Sequence, residues 1–431
     1  MSPQRQNRLC KRVVLGMIFA GYLAAAQGQV DGYASASYGF HKNPLYNYET
    51  VSDQVREGYV ELNYTQPSVL NQFSLGYIGG LMIFNQLGDR NFYEHRLNLG
   101  YTMKLPAGVQ NLPAATGSEG NEGEESEAPF RGKVFDIGLR LNARHDREIY
   151  RTFDNIGLEV PLAYTWGAGS GTEIKLANQA GVRRYFFLPE LNNITDAVDG
   201  RLSMVLGNPT EITFIATTGL KHYTTEQIDT SQIETATTVA AQGNKGKGKG
   251  GTGSSGQGSG KKKVILVNSS TTTTYQVTLG AAATWRWENG TLGAEFLYRF
   301  NPEAQVRFLT QYANTSLLTQ DIYNDSFNYG GPALKLALKE RLPFDLFVTI
   351  LAEAQRKKFL APALDLAGLE TSSNRVDLHG RLDGTVSKTF PLSEAVILEI
   401  TFSGGIARNQ SADAYNDYAL SYWSLGFGIG F

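Results

Sequence analysis

The chain has 431 residues with 47 Gly, 22 Tyr and 22 Phe, hydrophobic residues make up only 42% of it, and its mean hydropathy is -0.25. Its 39 Lys and Arg against 41 Asp and Glu give a net charge of -2, which argues against a nucleic-acid partner. Beyond the first residues, no run approaches the roughly 20 apolar residues that a transmembrane helix needs, so such a chain would have to cross a membrane as strands.

The chain begins with a basic, then an apolar, then a small-residue segment, which is the order typical of a secretory signal peptide. Four basic residues precede the apolar run 13–26. We therefore predict that residues 1–28 are a signal peptide for Sec-type export, with cleavage before Gln29 or, nearly as well, after Ala26. The single cysteine, Cys10, lies inside it, so the mature chain would have no thiol for a disulfide, a metal site or a nucleophile.

From residue 29 onward, apolar and polar side chains alternate with a period of two in one segment after another. In the segment 92–105, for example, one face carries Tyr93, Leu97 and Tyr101, and the other carries Glu94 and Arg96. Repeated alternation of this kind, with charges on one side only, is typical of a membrane β-barrel. We predict an all-β fold, a single antiparallel transmembrane β-barrel of about 16 strands, within a range of 14–18, that occupies residues 29–431. The first strand begins so early that no room remains for an N-terminal plug domain.

The connections between these segments support the same fold. If the N- and C-termini of the barrel both face the periplasm, even-numbered connections are short periplasmic turns and odd-numbered ones are long extracellular loops. The even connections are short except for 106–131, which is predicted to be an acidic flexible connection. The odd connections are long, polar or both, and they include 41–54, 188–197, 224–274, 302–331, 359–374 and 409–417. Within the third of these, the Lys/Gly/Ser-rich stretch 225–273 is predicted to be a flexible extracellular loop.

The last predicted strand ends the chain on an aromatic residue. From Ala419 to Phe431, every second side chain is mostly large and apolar. The residues of the opposite face become smaller toward the C-terminus and end in three glycines. This segment resembles the closing strand of bacterial outer-membrane β-barrel proteins. The resemblance implies a location in the Gram-negative cell outer membrane, contact with outer-membrane lipid and lipopolysaccharide, and recognition of the closing strand by the barrel-assembly machinery.

Aromatic residues occur where a bilayer edge would meet the inner ends of the predicted strands. Such girdles are expected at both membrane interfaces of a barrel. We predict that the membrane-interface aromatics are Trp166, Trp285, Trp287, Phe344, Phe390 and Phe431.

Charged residues on the opposite parity are predicted to line the lumen at similar height, because charges are too unfavourable against lipid. The pore-lining candidates are Arg96, Arg140, Asp199, Arg201, Arg299, Lys335, Glu353, Arg381 and Asp383. Cations outnumber anions in this set, which favours anionic or sugar-phosphate-like solutes. The alternative is that these side chains form salt bridges that stiffen the wall and select no solute.

No catalytic or metal site emerges from the sequence. The five histidines are scattered, none lies in a metal-ligand spacing, and any Ser-His-Asp set would be arbitrary. We therefore predict a protein that is not an enzyme and that needs no cofactor or metal.

Two functions are compatible with these features. The first is a porin-like outer-membrane channel for passive passage of small hydrophilic solutes, with a mild anion preference and with access set by inward-folded outer loops, above all 302–331. The second is a non-conducting outer-membrane barrel that acts as a surface-binding protein or as the scaffold of an envelope complex. The two charged low-complexity connections motivate the second reading.

Overall fold

The computed structural model describes residues 28–44, 51–68, 70–106, 131–146, 153–169, 171–207, 210–224, 273–302, 326–367 and 369–431. Most of the predicted signal peptide 1–28 lies outside these described residues. The interiors of the acidic connection 106–131 and of the Lys/Gly/Ser-rich stretch 225–273 also lie outside them.

The described chain forms sixteen antiparallel β-strands, as the alternation predicts. They are β1 (Gln29–Lys42), β2 (Ser52–Pro67), β3 (Asn71–Phe84), β4 (Phe92–Pro106), β5 (Arg131–Asp146), β6 (Asn155–Gly169), β7 (Thr172–Tyr185), β8 (Asn193–Val205), β9 (Thr210–Tyr223), β10 (Thr273–Trp287), β11 (Gly290–Phe300), β12 (Gly331–Leu342), β13 (Leu346–Leu364), β14 (Glu370–Pro391), β15 (Ile397–Ser411) and β16 (Tyr418–Gly430). None of the helical segments in this part of the chain is long and apolar enough to cross a membrane.

The strands close on themselves into one barrel. Each strand pairs with its neighbours in sequence, and β1 pairs with both β2 and β16. At the seam, the backbone N–H of Gly32 donates to the carbonyl of Phe431 at 2.7 Å, and the N–H of Phe431 donates to the carbonyl of Gly32 at 2.9 Å. The closing role predicted for the last strand is therefore confirmed, and the sheet has no free edge.

The two faces of this wall differ in chemistry. Residues paired across strands point to the same side of the sheet. The strand register therefore identifies which residues of all sixteen strands share a face. On one face, large apolar side chains such as Leu279 and Phe300 are each 59% exposed. On the other face, polar side chains reach over an intervening strand, as Tyr33 on β1 does when its hydroxyl donates to Glu399 on β15 at 2.9 Å. Contacts over an intervening strand are easiest on a concave surface, so the polar face is the inner one.

The turns at one end of the barrel are short apart from the connection between β4 and β5, whereas two connections at the other end share a compact fold. Between β3 and β4, the side-chain oxygen of Asn91 accepts from the backbone N–H of Phe84 at 2.7 Å. Between β7 and β8, Asn192 accepts from the N–H of Tyr185 at 2.6 Å, with the same seven-residue spacing. Each connection contains a short 3-10 segment, Gly88–Arg90 or Pro189–Leu191.

Two predicted outer connections are shorter than expected. β13 and β14 extend through 19 and 22 residues, so most of the predicted loop 359–374 is strand. The prediction was wrong because Pro362 interrupts both the alternation and the register of this hairpin. Similarly, β8 begins at Asn193 within the predicted connection 188–197, because Asp196 takes an outward position where an apolar residue was expected.

Candidate functional site

The inner face of the barrel carries the charges that could act on a solute. Strand parity places all nine predicted pore-lining residues on this face, because each shares its register row with polar side chains of neighbouring strands. Their contacts divide them into separate groups. Arg299, for example, pairs with Gly331, four residues before Lys335 on β12, so these two cations are not neighbours in one ring.

Glu159 on β6 is the centre of the first group. Its carboxylate accepts from Arg140 Nη1 at 3.0 Å, from Asn142 Nδ2 at 3.2 Å and from Gln179 Nε2 at 2.9 Å. A second arginine, Arg183 Nη2 on β7, lies 4.0 Å away. One carboxylate thus faces two guanidinium groups, both about one-third exposed.

Arg96 is linked to the group around Glu159 by hydrogen bonds to uncharged amide side chains. Its Nε donates to the side-chain oxygen of Asn142 at 2.9 Å, and Arg140 Nε donates to Asn98 at 3.3 Å. The amides therefore orient the two predicted cations without neutralising them. Sequence reasoning missed Glu159 and Arg183, although both occupy the luminal parity of their strands.

The second group joins Asp199 and Arg201 on β8. Arg201 Nε donates to Asp199 Oδ1 at 2.8 Å, and the hydroxyl of Thr217 donates to Asp199 Oδ2 at 2.7 Å. The arginine side chain is half exposed, whereas the aspartate is more covered. The positive end of this pair therefore faces the barrel interior more openly.

The third group lies on β11 to β16. Arg381 Nε donates to Asp383 Oδ2 at 2.5 Å, and the hydroxyl of Tyr422 donates to Asp383 Oδ1 at 2.6 Å. Glu353 lies opposite both Lys335 and Arg381 in the strand register, and Lys335 Nζ is 4.0 Å from Glu295. Charges of opposite sign alternate here, as the wall-stiffening alternative expects.

The outer part of the inner face is covered by the end of the β11–β12 connection. Tyr329 is only 4% exposed, and its hydroxyl accepts from Gln355 Nε2 at 3.1 Å. Its ring lies 5.6 Å from the Arg299 guanidinium and 5.2 Å from Lys357 Nζ. The backbone before it is held by Gln276, whose side chain donates to the carbonyl of Ser326. The described end of the predicted loop 302–331 therefore packs against the inner face, and residues 303–325 lie outside the described chain.

An acidic sector occupies β1, β2 and β15. The hydroxyl of Tyr59 and the amide of Asn63 donate to Glu61 at 2.5 and 2.8 Å. Glu57 accepts from Ser37, and Glu399 accepts from Tyr33. Hydroxyls and amides, rather than cations, thus hold these carboxylates, and the wall is acidic here and basic near Glu159.

The six predicted interface aromatics lie at the end of the barrel that carries the short turns, and all have exposed rings. Phe344 is 83% exposed at the corner between β12 and β13, with a positive φ of 66°. The indole of Trp287 donates to Glu340 at 3.3 Å, which ties one of these rings to the outer face of β12.

Within the described ranges, no group of three or more His, Cys, Asp and Glu side chains could hold a metal ion. Two of the described histidines, His95 and His145, lie on either side of Tyr93, with ring centroids 5.6 and 5.1 Å from that of the tyrosine. His145 Nδ1 is 2.5 Å from Asp154 at the outer end of β5, and His95 Nδ1 is 2.8 Å from the Tyr77 hydroxyl. Both histidines have the apolar, outward parity.

No protein-family model and no curated protein matches this chain. Among solved structures, Pseudomonas aeruginosa OccK2 (OpdF) in complex with glucuronate is similar at 9% identity and a TM-score of 0.40, over 94% of this chain and 98% of that one. Pseudomonas aeruginosa OprD is similar at 10% identity and a TM-score of 0.42, over 94% and 95%. Acinetobacter baumannii OccAB3 is similar at 8% identity and a TM-score of 0.41, over 94% and 100%.

Proposed function

We propose that this barrel is a channel of the Gram-negative outer membrane, through which small hydrophilic solutes pass passively. One observation carries the proposal, namely that a closed sixteen-stranded wall has an apolar outer face and a charged inner face. A band of exposed apolar side chains suits lipid, and charged side chains suit water. Barrels of 16 strands are also wide enough to leave an aqueous interior, unlike those of eight.

The nine predicted pore-lining residues would act on the solute, together with Glu159 and Arg183. A mild preference for anions is supported by the group around Glu159, where one carboxylate faces two arginines and the nearby Arg96 donates to an amide oxygen. The acidic sector of β1, β2 and β15 opposes this preference. The net selectivity therefore depends on which sector lies beside the narrowest part of the path.

The proposal includes the surroundings of the barrel. Export would follow the Sec-type route that the segment 1–28 predicts, and β16 would present its alternating strand to the barrel-assembly machinery. Outer-membrane lipid and lipopolysaccharide would contact the outer face. The six exposed aromatics at the short-turn end would sit at the periplasmic membrane interface.

Single-channel recording of the folded, purified chain in a planar bilayer tests the channel proposal. We expect discrete conductance steps, and a reversal potential in a KCl gradient that is displaced toward the equilibrium potential of chloride. A reversal potential displaced toward the equilibrium potential of potassium would contradict the anion preference but not the channel itself. If labelled protein is shown to be inserted in the bilayer and no conductance is recorded, the channel proposal is contradicted.

A second candidate function is a non-conducting barrel that binds at the surface or supports an envelope complex. It is favoured by the covered outer part of the inner face, where Tyr329 is buried among Gln355, Arg299 and Lys357. If that cover closed the lumen, recordings would be silent, and substitution of Tyr329 by Ala would open a conductance. A conducting wild type would argue against this candidate.

A further inference from the structure

Three cations point outward from the barrel wall near its outer end, where a lipid-facing surface would normally be apolar. Arg356 and Lys358 lie on β13 and Arg408 lies on β15, and all three share the parity of exposed apolar residues such as Leu378. In the register, Arg356 is opposite Leu378 and Arg408 is opposite Gly380. The two arginines therefore flank β14 two strand spacings apart across the sheet and two residues apart along it, so their Cα atoms are about 12 Å apart.

The height of these arginines matches a membrane interface. Arg356 is ten residues beyond Leu346, the outward residue that begins β13, and Arg408 is ten residues beyond Leu398 on β15. Ten residues at about 3.4 Å each, on a strand tilted by about 40°, rise about 26 Å along the barrel axis. Because the apolar band of a membrane barrel is about 25 Å tall, both guanidinium groups would lie at the level of lipid headgroups.

A groove of about 580 Å³ runs between the two arginines. Its charged and polar walls are Arg356, Arg408, Gln410 and Asp417, and its apolar floor includes Val376 and Leu378. Asp417 Oδ1 is 2.6 Å from Arg408 Nη2 and is the one carboxylate that lines the groove in the described chain. Two arginines against one carboxylate, with Lys358 nearby on the same face of β13, leave a positive surface.

A second, apolar groove lies next to the first on the side toward the membrane centre. Its volume is about 440 Å³, and its outward-facing lining includes Ile350, Leu382, Gly384, Gly404, Ile406 and Trp423. Asp383 and Tyr422, which have the inward parity, also line it where the wall is thinned by glycines. The register connects the two grooves directly, since Arg408 is opposite Gly380, Ile406 is opposite Leu382, and Gly404 is opposite Gly384. An apolar chain could thus lie along β14 below a group that is bound by the arginines.

We propose that these adjoining grooves bind a phosphorylated glycolipid of the outer leaflet, with its phosphate between Arg356 and Arg408 and an acyl chain in the apolar groove. A phosphate monoester carries nearly two negative charges at neutral pH, which complements the positive groove. Planar guanidinium groups bind phosphate oxygens through two parallel hydrogen bonds. Gln410 supplies a further donor on the same wall. The inference rests on the proposed outer-membrane location, not on conductance.

Binding of lipid A to the full, folded chain in detergent tests this site. The probes are bisphosphorylated lipid A, the same lipid with both phosphates removed, and inorganic phosphate, and native mass spectrometry measures the bound fraction. We expect the double substitution Arg356→Gln/Arg408→Gln to lower the affinity for bisphosphorylated lipid A at least about tenfold, because two charge-assisted contacts are lost. The lipid without phosphates should bind the wild type as weakly as the bisphosphorylated lipid binds the double variant.

The matched control is Lys388→Gln, which removes an outward cation of β14 at the opposite end of the barrel and should leave lipid A binding unchanged. Equal binding of bisphosphorylated lipid A by the wild type and the double variant would overturn the site. So would equal binding of the two lipids, or displacement of the lipid by millimolar inorganic phosphate. Conductance recorded on the double variant separates the two proposals, because unchanged lipid A binding together with normal conductance rejects only this site. The same recordings show that the variant is folded.

Discussion

Glu159 on β6 accepts a hydrogen bond from Arg140 on β5 at 3.0 Å, on the inner face of the barrel. The same carboxylate accepts from Asn142 and Gln179 and lies 4.0 Å from Arg183. A single acidic side chain thus organises four neighbours on β5 and β7, the two strands that flank β6. Its replacement changes the luminal charge without removing a cation, which makes it a sensitive probe of the proposed channel.

Glu159→Gln is expected to shift the reversal potential in a salt gradient further toward the equilibrium potential of chloride, because two arginines lose a negatively charged neighbour. The amide can still accept from Asn142, so the barrel should remain folded. Single-channel recording measures the shift. Glu340→Gln is the matched control, since Glu340 has the same charge but lies on the outer face. Equal shifts in both variants would contradict a role for the luminal group.

Asp377→Asn is expected to destabilise the outer part of the β13–β14 hairpin by about 3 kcal/mol, since it removes the charge of the carboxylate that contacts the buried guanidinium of Arg375. Asp377 is only 1% exposed and accepts from Arg375 at 2.9 and 2.5 Å and from Ser411 at 2.6 Å. Hydrogen exchange of the hairpin amides measures the loss. Asp31→Asn, at an exposed carboxylate near the start of β1, should change exchange little. An unchanged hairpin in Asp377→Asn would show that the ion pair contributes nothing to its stability.

Asn91→Ala is expected to loosen the β3–β4 connection by about 1 kcal/mol, because the backbone N–H of Phe84 loses its acceptor. Asn192→Ala should have the same effect on Tyr185, since the two turns share one geometry. Limited proteolysis and exchange of the two amides measure both changes. Asn91→Asp retains an acceptor oxygen and should restore protection. If it fails to do so, the amide oxygen is not the stabilising group.

Leu279→Arg is expected to destabilise the barrel in lipid vesicles by about 2–4 kcal/mol, because it places a charge on the lipid-facing side of β10. Leu279 is among the most exposed apolar residues of the wall. Ala282→Arg, on the opposite face of the same strand and opposite Glu295 in the register, should be tolerated. Denaturant unfolding in vesicles compares the two variants. If the Ala282 variant proved the less stable, the assignment of inner and outer faces would be reversed.

Much of the fold follows from alternation alone. A period of two with charges on one side predicts strand number, strand parity and the closing role of β16, because a sheet between lipid and water can place its side chains in only one way. The same rule predicts that Arg96, Arg140 and Arg381 face inward. It fails where polar residues occur on both faces, as at Asp196 and in the extended β13–β14 hairpin, since lipid no longer dictates the pattern there.

The sequence by itself determined the closed antiparallel wall, its sixteen strands and its two chemically different faces, because these depend on local periodicity. Only the tertiary structure decided which charges meet. Glu159 contacts Arg140 and Arg183, Tyr329 packs between Arg299 and Lys357, and Arg356 and Arg408 line one groove on either side of β14. These contacts depend on the register between strands and on the path of one connection, and neither leaves a periodic trace in the chain.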